Sequence, residues 1–497
     1  MTFVKDSFPQ DVIIHSMKII EITKNKPCSG GESCSGQCRN RRIKAEKPVL
    51  SDNRAPRYTS YPTADRFVEA FAPADTKRYL SERDIAHNGP LSLYIHIPFC
   101  ESLCYYCACN KTVTKKHEKG LPYVHNLLKE MRLIDASLKG DRRVSQMHWG
   151  GGTPTFLNTF EIMTLLDGLK DILDFSANGE YSIEIDPRTV RANTLSDLAG
   201  LGFNRLSLGV QDFSPEVQRA INRIQPVSQV QAVLDEARSL GFKSTNFDLI
   251  YGLPKQTVKT YGQTLDTVLE MRPERIALYH YAHLPSRFKS QGLIPDTDLA
   301  SSAEKQEIFD LANERLDSAG YEYIGMDHFA LPDDELAMAN RSGLLHRNFQ
   351  GYSTQPDCDV IGLGASAISR IGTCYSQNAR DLKEYKNRIE QNSLATMRGI
   401  ELSRDDVIRR AIIMAIMCQG EVDKGSFEIA HLVDFDDYFS VELERLQQFV
   451  TKGFVTLSAN RIIVTPLGRR KALRSIGSVF DCYLQRSQQR NTYSKVL

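Results

Sequence analysis

The chain has 497 residues, 41% hydrophobic and 25% charged, proportions that exclude wholesale disorder and leave material for a sizeable core. Its 62 Lys and Arg balance 61 Asp and Glu, so the basic excess of a protein that grips nucleic acid over a broad face is absent, and no nucleic-acid partner is expected. No apolar run approaches the ~18 residues that a membrane helix needs, so no membrane partner is expected either.

The opening MTFVKDSFPQDVIIHSMKII interrupts its apolar stretch with His15 and Lys18 and carries Asp6 and Asp11, unlike a secretory signal or an acid-poor transit peptide. The chain therefore reads as cytoplasmic. Residues 1–50 hold nine basic and five acidic side chains without sustained periodicity and read as a flexible extension. Within them Cys28, Cys34 and Cys38 have the spacing C-x5-C-x3-C with no neighbouring His to complete an obvious site. Metal or redox sensing and a plain disordered extension both stay open there. Of the eleven cysteines, four crowd together as Cys100, Cys104, Cys107 and Cys109, while Cys358, Cys374, Cys418 and Cys482 stand alone. A secreted disulfide framework is normally small, and clustered thiols in a large chain point to metal instead.

From Leu91 short β-branched runs alternate with helical spacing. Strands are predicted at 91–99, 144–151, 181–186, 205–211, 244–252, 275–281 and 322–328, and helices at 122–138, 160–173, 229–241 and 302–320. Strand–helix alternation implies right-handed parallel crossovers and an α/β sheet or barrel. Polar and glycine residues gather at the strand ends: Gly150–Thr153, Glu184, Gln211, Asp248 and Ala282. Parallel α/β architectures bind ligands there, so one repeated position implies one pocket. After about Asn378 the pattern becomes helices at 403–418 and 441–453 followed by a hairpin at 454–469, a winged-helix-like order more often used for packing or as a lid than for reading DNA. The expected division is a 1–50 extension, a 51–375 barrel with an N-terminal substrate segment, and a 376–497 C-terminal module.

The segment YIHIPFCESLCYYCACNK places CxxxCxxCxC at the end of a predicted strand. Zinc usually takes two CxxC pairs or Cys and His pairs. Three cysteines at the present spacing would hold three irons of a cubane cluster and leave the fourth open to chelate a ligand. A zinc knuckle or inert buried thiols are the plainer alternatives, and Cys109 by itself reads equally as a small packing residue.

CxxxCxxC with an aromatic residue, Tyr106, before its last cysteine resembles the signature of the radical S-adenosylmethionine (SAM) enzymes. The landmarks APRYTSYPTA, HWGGGTPT, SIEIDPR, GFNRLSLGVQDF, STNFDLIYGLPKQT, IGMDHFALPDDELA, LHRNFQGYSTQ and IGLGASAIS stand in order over more than 300 residues. Together they resemble the family of oxygen-independent coproporphyrinogen III oxidases. That resemblance implies an α/β radical SAM barrel of partial TIM type with a mainly helical, winged-helix-like C-terminal domain. It implies one 4Fe–4S cluster on Cys100, Cys104 and Cys107, with Cys109 as the fourth cysteine of the subfamily. It implies a first SAM at Tyr94, Tyr106, Gly151, Glu184 and Ile368, and a second at Gly152, Thr153, Gln211, Arg223, Asp248 and Ala282. Cys109, Glu184 and Gln350 are the expected catalytic residues.

The implied substrate is coproporphyrinogen III, two of whose propionates become vinyl groups by hydrogen abstraction and loss of carbon dioxide, with an unidentified electron donor and acceptor. A pocket for it needs cations and an aromatic interior, and Arg57, Tyr58, Tyr61, Arg347, Phe349 and Gln350 are expected contributors. Read alone, Glu184 is also a strand-end ion-pair partner, Gln211 and Asp248 strand-end caps, Arg223 a surface residue of a predicted helical stretch, and Arg57 and Arg347 structural ion-pair partners. Two rival functions are a haem-trafficking relative, disfavoured by Cys109 and the PRYTSYP segment, and a DNA-binding iron or redox regulator, disfavoured by the charge balance. A self-contained barrel with lids is expected to be a monomer.

Overall fold

The computed structural model describes residues 55–86, 89–355 and 358–486, so the expectations for residues 1–50, including Cys28, Cys34 and Cys38, lie outside the described residues. Six strands run parallel in chain order: β1 (Leu91–Ile97), then, after the two-residue pair β2 (Phe99–Cys100) and β3 (Thr112–Val113), β4 (Arg143–Gly151), β5 (Asp174–Ile185), β6 (Arg205–Gln211), β7 (Ser244–Tyr251) and β8 (Arg275–His280). At the far edge β8 pairs antiparallel with β10 (His328–Ala330), which pairs with β9 (Glu322–Gly325). A separate hairpin, β11 (His346–Asn348) and β12 (Gly351–Ser353), precedes β13 (Asp359–Leu363), which returns to lie parallel to β1 on its free edge. β14 (Ile368–Ile371), β15 (Cys374–Asn378) and β16 (Thr396–Glu401) extend that edge antiparallel, completing a twelve-stranded sheet.

This is a mixed α/β fold with a partial parallel barrel at its centre. Residues 322–328, expected as one strand, instead form two, because Gly325 (φ 152°) and Met326 (φ 54°) leave the extended region and turn the chain back on itself. The strand expected at 181–186 begins earlier, at Asp174.

Alternation along the strands separates two faces. Leu93, Ile95, Trp149, Ile183, Leu206, Leu208, Phe247, Leu249 and Leu278 are buried in one large apolar cluster with the surrounding helices. The intervening positions Tyr94, His148, Ser182, Glu184, Ser207, Asn246, Asp248 and Tyr279 are half-buried, and register sets Tyr94 beside His148, His148 beside Ser182, and Glu184 beside Ser207. The helices have matching stripes. In Thr159–Lys170, Ile162, Leu165, Leu166 and Leu169 face the sheet at helical spacing. Its start is set by a capping box in which the Asn158 side chain accepts from Glu161 N and Glu161 accepts from Asn158 N.

The C-terminal part has its own apolar cluster, built from the helices Arg404–Cys418, Lys424–His431 and Ser440–Thr451 and a three-stranded antiparallel wing in the order β17 (Glu421–Asp423), β19 (Arg461–Val464), β18 (Val455–Leu457). Tyr58 and Tyr61 belong to this cluster, 1% and 0% exposed, and their hydroxyls meet Asp481 and Cys482. The PRYTSYP segment is thus stitched beneath the last helices, and its two tyrosines serve packing. No helix among the described residues is long and apolar enough to cross a membrane.

Arg83 bonds the Asp359 carboxylate on β13 at 2.8 Å and the carbonyl of Asp141 at 2.6 Å, with both charged side chains at most 2% exposed. Removing one partner of a buried ion pair strands the other charge. Arg83→Ala should therefore cost about 3–5 kcal/mol, read as a lowered urea midpoint, whereas Arg78→Ala at the exposed Glu401 pair should cost under about 1 kcal/mol.

Candidate active site

β1 ends in the cysteine loop, and the chain pins that loop at many backbone points. Thr112 N and Thr114 N donate to the carbonyls of Pro98 and Cys100, Tyr105 N to Ile221, Asn222 Nδ2 to Leu103, and Gln291 Nε2 to Tyr106. Cys104 is buried, Cys100 and Cys107 are half-buried, Cys109 is exposed, and all four are free thiols. Arg188 and Arg223 lie 3.5 and 3.6 Å from the Cys104 sulfur, and Thr153 Oγ1 3.7 Å from that of Cys100. Burial pushes the Cys100 thiol up to about 11, while a hydrogen bond from Cys109 brings Cys107 down to about 6. Among the described residues no three His, Cys, Asp or Glu side chains close on a single metal ion. Thiols spread along a pinned loop, two of them beside guanidinium or hydroxyl donors, fit a larger iron–sulfur centre, whose negative charge such donors offset.

The end of β4 presses against this loop. A Cβ on Gly150 would stand 2.7 Å from a Glu184 oxygen, one on Gly151 2.6 Å from the His96 ring, and one on Gly152 2.6 Å from the Phe99 carbonyl oxygen and 3.0 Å from the Cys100 sulfur. Gly151 also has φ 110°, a conformation that side chains resist. Glu184 on β5 accepts from His148 Nε2 at 3.2 Å and Gly151 N at 3.2 Å. Burial raises its pKa, but these donors outweigh it and hold the carboxyl below its ordinary range. The Tyr94 ring stacks over His148 at 6.1 Å, and its hydroxyl meets His96 Nδ1 at 3.0 Å while His96 Nε2 donates to the Asn110 carbonyl. The Asn110 bond fixes the His96 tautomer and ties the strand to the loop beyond the cysteines.

Asp248 on β7 is bonded by Ser207 and Asn246, and burial with the nearby Glu184 charge pushes it up to about 7. Arg223 was expected on a helix. It instead follows Pro215–Ala220, just past the turn residue Asn222 (φ 52°), which points it inward; it is 6% exposed, bonds Asp186 at 2.9 Å and donates to the Gly209 carbonyl. Gln211 closes β6 with φ 67° and is 7% exposed, and Ala282 lies just beyond β8. Ile368 opens β14, its backbone so close to Gly362 that a Cβ there would stand 2.5 Å from the Ile368 carbonyl oxygen.

Gln350 stands apart from these strand ends. It occupies the β11–β12 turn, and its Nε2 lies 3.3 and 3.4 Å from Ser92 Oγ and the Leu93 carbonyl, at the beginning of β1. Phe349 packs edge-on to Tyr375, and Arg57 pairs with Asp327. Sequence reasoning passed over His96, His148, Asp186 and Arg188. The signal for the first two was present, since each sits on the inward parity of its strand, two residues from Tyr94 and Gly150 respectively.

Residues 94–268 match the model of the radical SAM superfamily and residues 402–470 that of the HemN C-terminal domain. The chain is 47% identical over 442 residues to the oxygen-independent coproporphyrinogen III oxidase of Salmonella typhimurium, covering 89% of this chain and 96% of the relative. It belongs to the family of oxygen-independent coproporphyrinogen III oxidases. The Pseudomonas aeruginosa member is 45% identical over 449 residues, covering 90% and 97%. The solved Escherichia coli coproporphyrinogen III oxidase, described as a radical SAM enzyme, superposes with a TM-score of 0.83 at 47% identity over 86% of this chain and 97% of that one. For this member of the family, the fold class expected from the sequence is therefore the one observed.

One titration distinguishes the two interior carboxylates. Asp248 has its folded pKa raised above the unfolded value, so the folded state holds the extra proton and stability falls as pH rises from about 4 toward 7. In cofactor-free protein Asp248→Asn should lose that slope. Its melting temperature should match the wild type near pH 4 and exceed it increasingly up to pH 7.

Proposed function

We propose that this chain oxidatively decarboxylates two propionates of coproporphyrinogen III to vinyl groups, giving protoporphyrinogen IX, as a radical SAM enzyme of haem-precursor synthesis. The observation that carries the reading is a pinned three-thiol loop meeting a ring of inward polar side chains at the ends of parallel strands, in a chain 47% identical to such an oxidase over 89% of its length. When bound, the 4Fe–4S cluster and SAM supply a one-electron reductive cleavage that yields a hydrogen-abstracting 5′-deoxyadenosyl group.

The chain's own residues do the rest. Cys100, Cys104 and Cys107 hold the cluster, while Arg188 and Arg223 balance the Cys104 thiolate. Gly151 and Gly152 let the end of β4 pack directly against His96 and the cysteine loop, which sets that loop beside the strand ends where a ligand binds. Glu184, kept ionised by His148 and Gly151 N, accepts from a ribose hydroxyl or an ammonium group, beside Tyr94, Tyr106 and Ile368. Gly152, Thr153, Gln211, Arg223, Asp248 and Ala282 form the second SAM site, with Arg223 the partner of a methionine carboxylate. Cys109 faces the chemistry from the cluster side, while Gln350, expected to be catalytic, holds the β11–β12 turn to the beginning of β1, away from the thiol loop.

Each vinyl group formed releases one carbon dioxide, one hydrogen atom to the adenosyl group and one electron to an acceptor. A one-electron donor and a one-electron acceptor are therefore required partners. The reacting hydrogen must be held near contact distance and water kept out, which the C-terminal module and the PRYTSYP segment stitched to it provide. The working unit is a monomer in the cytoplasm, and its barrel sheet continues past the expected 375/376 boundary through β15 and β16 to Glu401, with the C-terminal module following.

Anaerobically reconstituted protein should convert coproporphyrinogen III to protoporphyrinogen IX with two 5′-deoxyadenosine per product. Cys100→Ala, Cys104→Ala and Cys107→Ala should each remove the brown cluster absorbance and all product. Retained activity in a cluster-free variant would overturn the reading, and formation of 5′-deoxyadenosine without vinyl product would favour the haem-trafficking alternative. Asp248→Ala should keep the cluster but halve the SAM bound at saturation, measured by equilibrium dialysis; unchanged stoichiometry would remove the second site.

A further inference from the structure

Arg347 is the misfit of the barrel interior. It lies on β11, is 6% exposed, and its Nε and Nη1 find no hydrogen-bond partner. It has no ion pair among the described residues. An unpaired buried guanidinium is among the most costly features a fold can carry, and one is retained where something else supplies the negative charge.

Its surroundings are aromatic and cationic. The guanidinium sits 4.5 Å from the centroid of the Tyr352 ring, which is held by a 2.8 Å bond from its hydroxyl to the Met417 carbonyl. His328 meets Tyr352 edge-on at 5.3 Å and Tyr279 at 6.1 Å, and its Nδ1 is buried without a partner. Arg57 lies over the other ring of this chain of contacts, 5.3 Å from the centroid of Tyr279. Burial and repulsion from Arg347 and Arg474 push the Arg57 guanidinium down to about 10, although Asp327 pairs with it. Three guanidiniums thus crowd one region.

The region opens on the same interior as the candidate active site. Tyr279 feels the charges of Asp248 and Glu184 as well as those of Arg57 and Arg347. The hairpin that carries Arg347 reaches the early residues of the strands: Gln350 bonds Ser92, and Gln146 Nε2 bonds Ser353 Oγ at 3.0 Å. The cysteine loop lies beyond the opposite ends of those strands. His328 and Asp248 both pair with Ala277 of β8, so the cationic group flanks the interior level with Asp248, and within it Arg347 has no counter-charge among the described residues.

We propose that Arg347, with Arg57 and His328, forms a carboxylate subsite that takes a propionate distant from the reacting carbon and so sets which propionate meets the adenosyl group. The proposal rests on the reading that the substrate is a tetracarboxylate tetrapyrrole. Arg347 supplies the unpaired charge and donors, Tyr352 and Tyr279 the faces against which pyrrole rings pack, and His328 a neutral donor, since burial and the nearby arginines keep it from protonating.

The test compares holoenzyme and variants binding coproporphyrin III, the oxidised and unreactive tetraacid, and its uncharged tetramethyl ester, by fluorescence quenching. Wild type should prefer the tetraacid. Arg347→Gln should weaken tetraacid binding about ten- to a hundredfold, the loss expected for a charge-assisted contact, and leave ester binding unchanged. Arg347→Lys should recover part of the loss. In turnover, Arg347→Gln should raise KM for coproporphyrinogen III more than it lowers kcat, with the cluster absorbance intact. Equal tetraacid affinity in Arg347→Gln and wild type, or no preference of wild type for acid over ester, would overturn the proposal. Should Arg347→Gln lose its cluster, Arg57→Gln at the more exposed guanidinium makes the same comparison. Wild type that prefers the tetraacid but forms no vinyl product would sink the oxidase reading and leave the subsite standing.

Discussion

Everything at this site depends on a constraint of parallel strands: side chains alternate, so each strand can send only every second residue inward. Here one parity is spent on Leu, Ile, Phe and Trp that weld the sheet to its helices, and the other on Tyr94, His148, Glu184, Ser207, Asp248 and Tyr279. The welded face makes the polar face possible. Interior carboxylates stay in place without collapsing onto one another because the backbone that carries them is locked from behind by a continuous apolar core.

Close approach is the second constraint. The end of β4 lies against both the cysteine loop and Glu184, and only glycines at 150, 151 and 152 leave room, since a Cβ on any of them would stand under 3 Å from a neighbour. The three glycines, the Gly151 N–H that Glu184 accepts and the Thr153 hydroxyl beside Cys100 form one rigid corner. A metal loop and a ligand-binding carboxylate are thereby positioned by a single stretch of backbone. Both signs of charge meet around Tyr279, which feels Glu184 and Asp248 as well as Arg57 and Arg347, a setting suited to a cationic cosubstrate beside an anionic substrate.

The C-terminal module does more than cover the barrel. Tyr58 and Tyr61 are buried in its apolar cluster, so the PRYTSYP segment is held by residues more than 400 positions away. Arg57 immediately precedes these anchors, and that is what carries its guanidinium over Tyr279. The tyrosines expected to line a pocket act as the clamp that delivers a neighbouring arginine.

Local pattern in the sequence determined the strands and their order: β6 spans the residues expected, and β1, β4, β7 and β8 differ by only a residue or two at their ends. It also put Cys100–Cys109, Gly150–Thr153, Glu184 and Gln211 at strand ends, because period-two alternation and motif spacing are written in neighbouring residues, whereas Asp248 lies three residues inside the end of β7. Tertiary structure alone decided whatever depends on contacts between distant segments. A positive φ at Asn222 turned Arg223 inward, Gly325 and Met326 folded one expected strand into two, His148 became the partner of Glu184, and Arg347 was left buried with no counter-charge among the described residues. Those outcomes turn on which side chain meets which across the fold, and no window of adjacent residues contains that information.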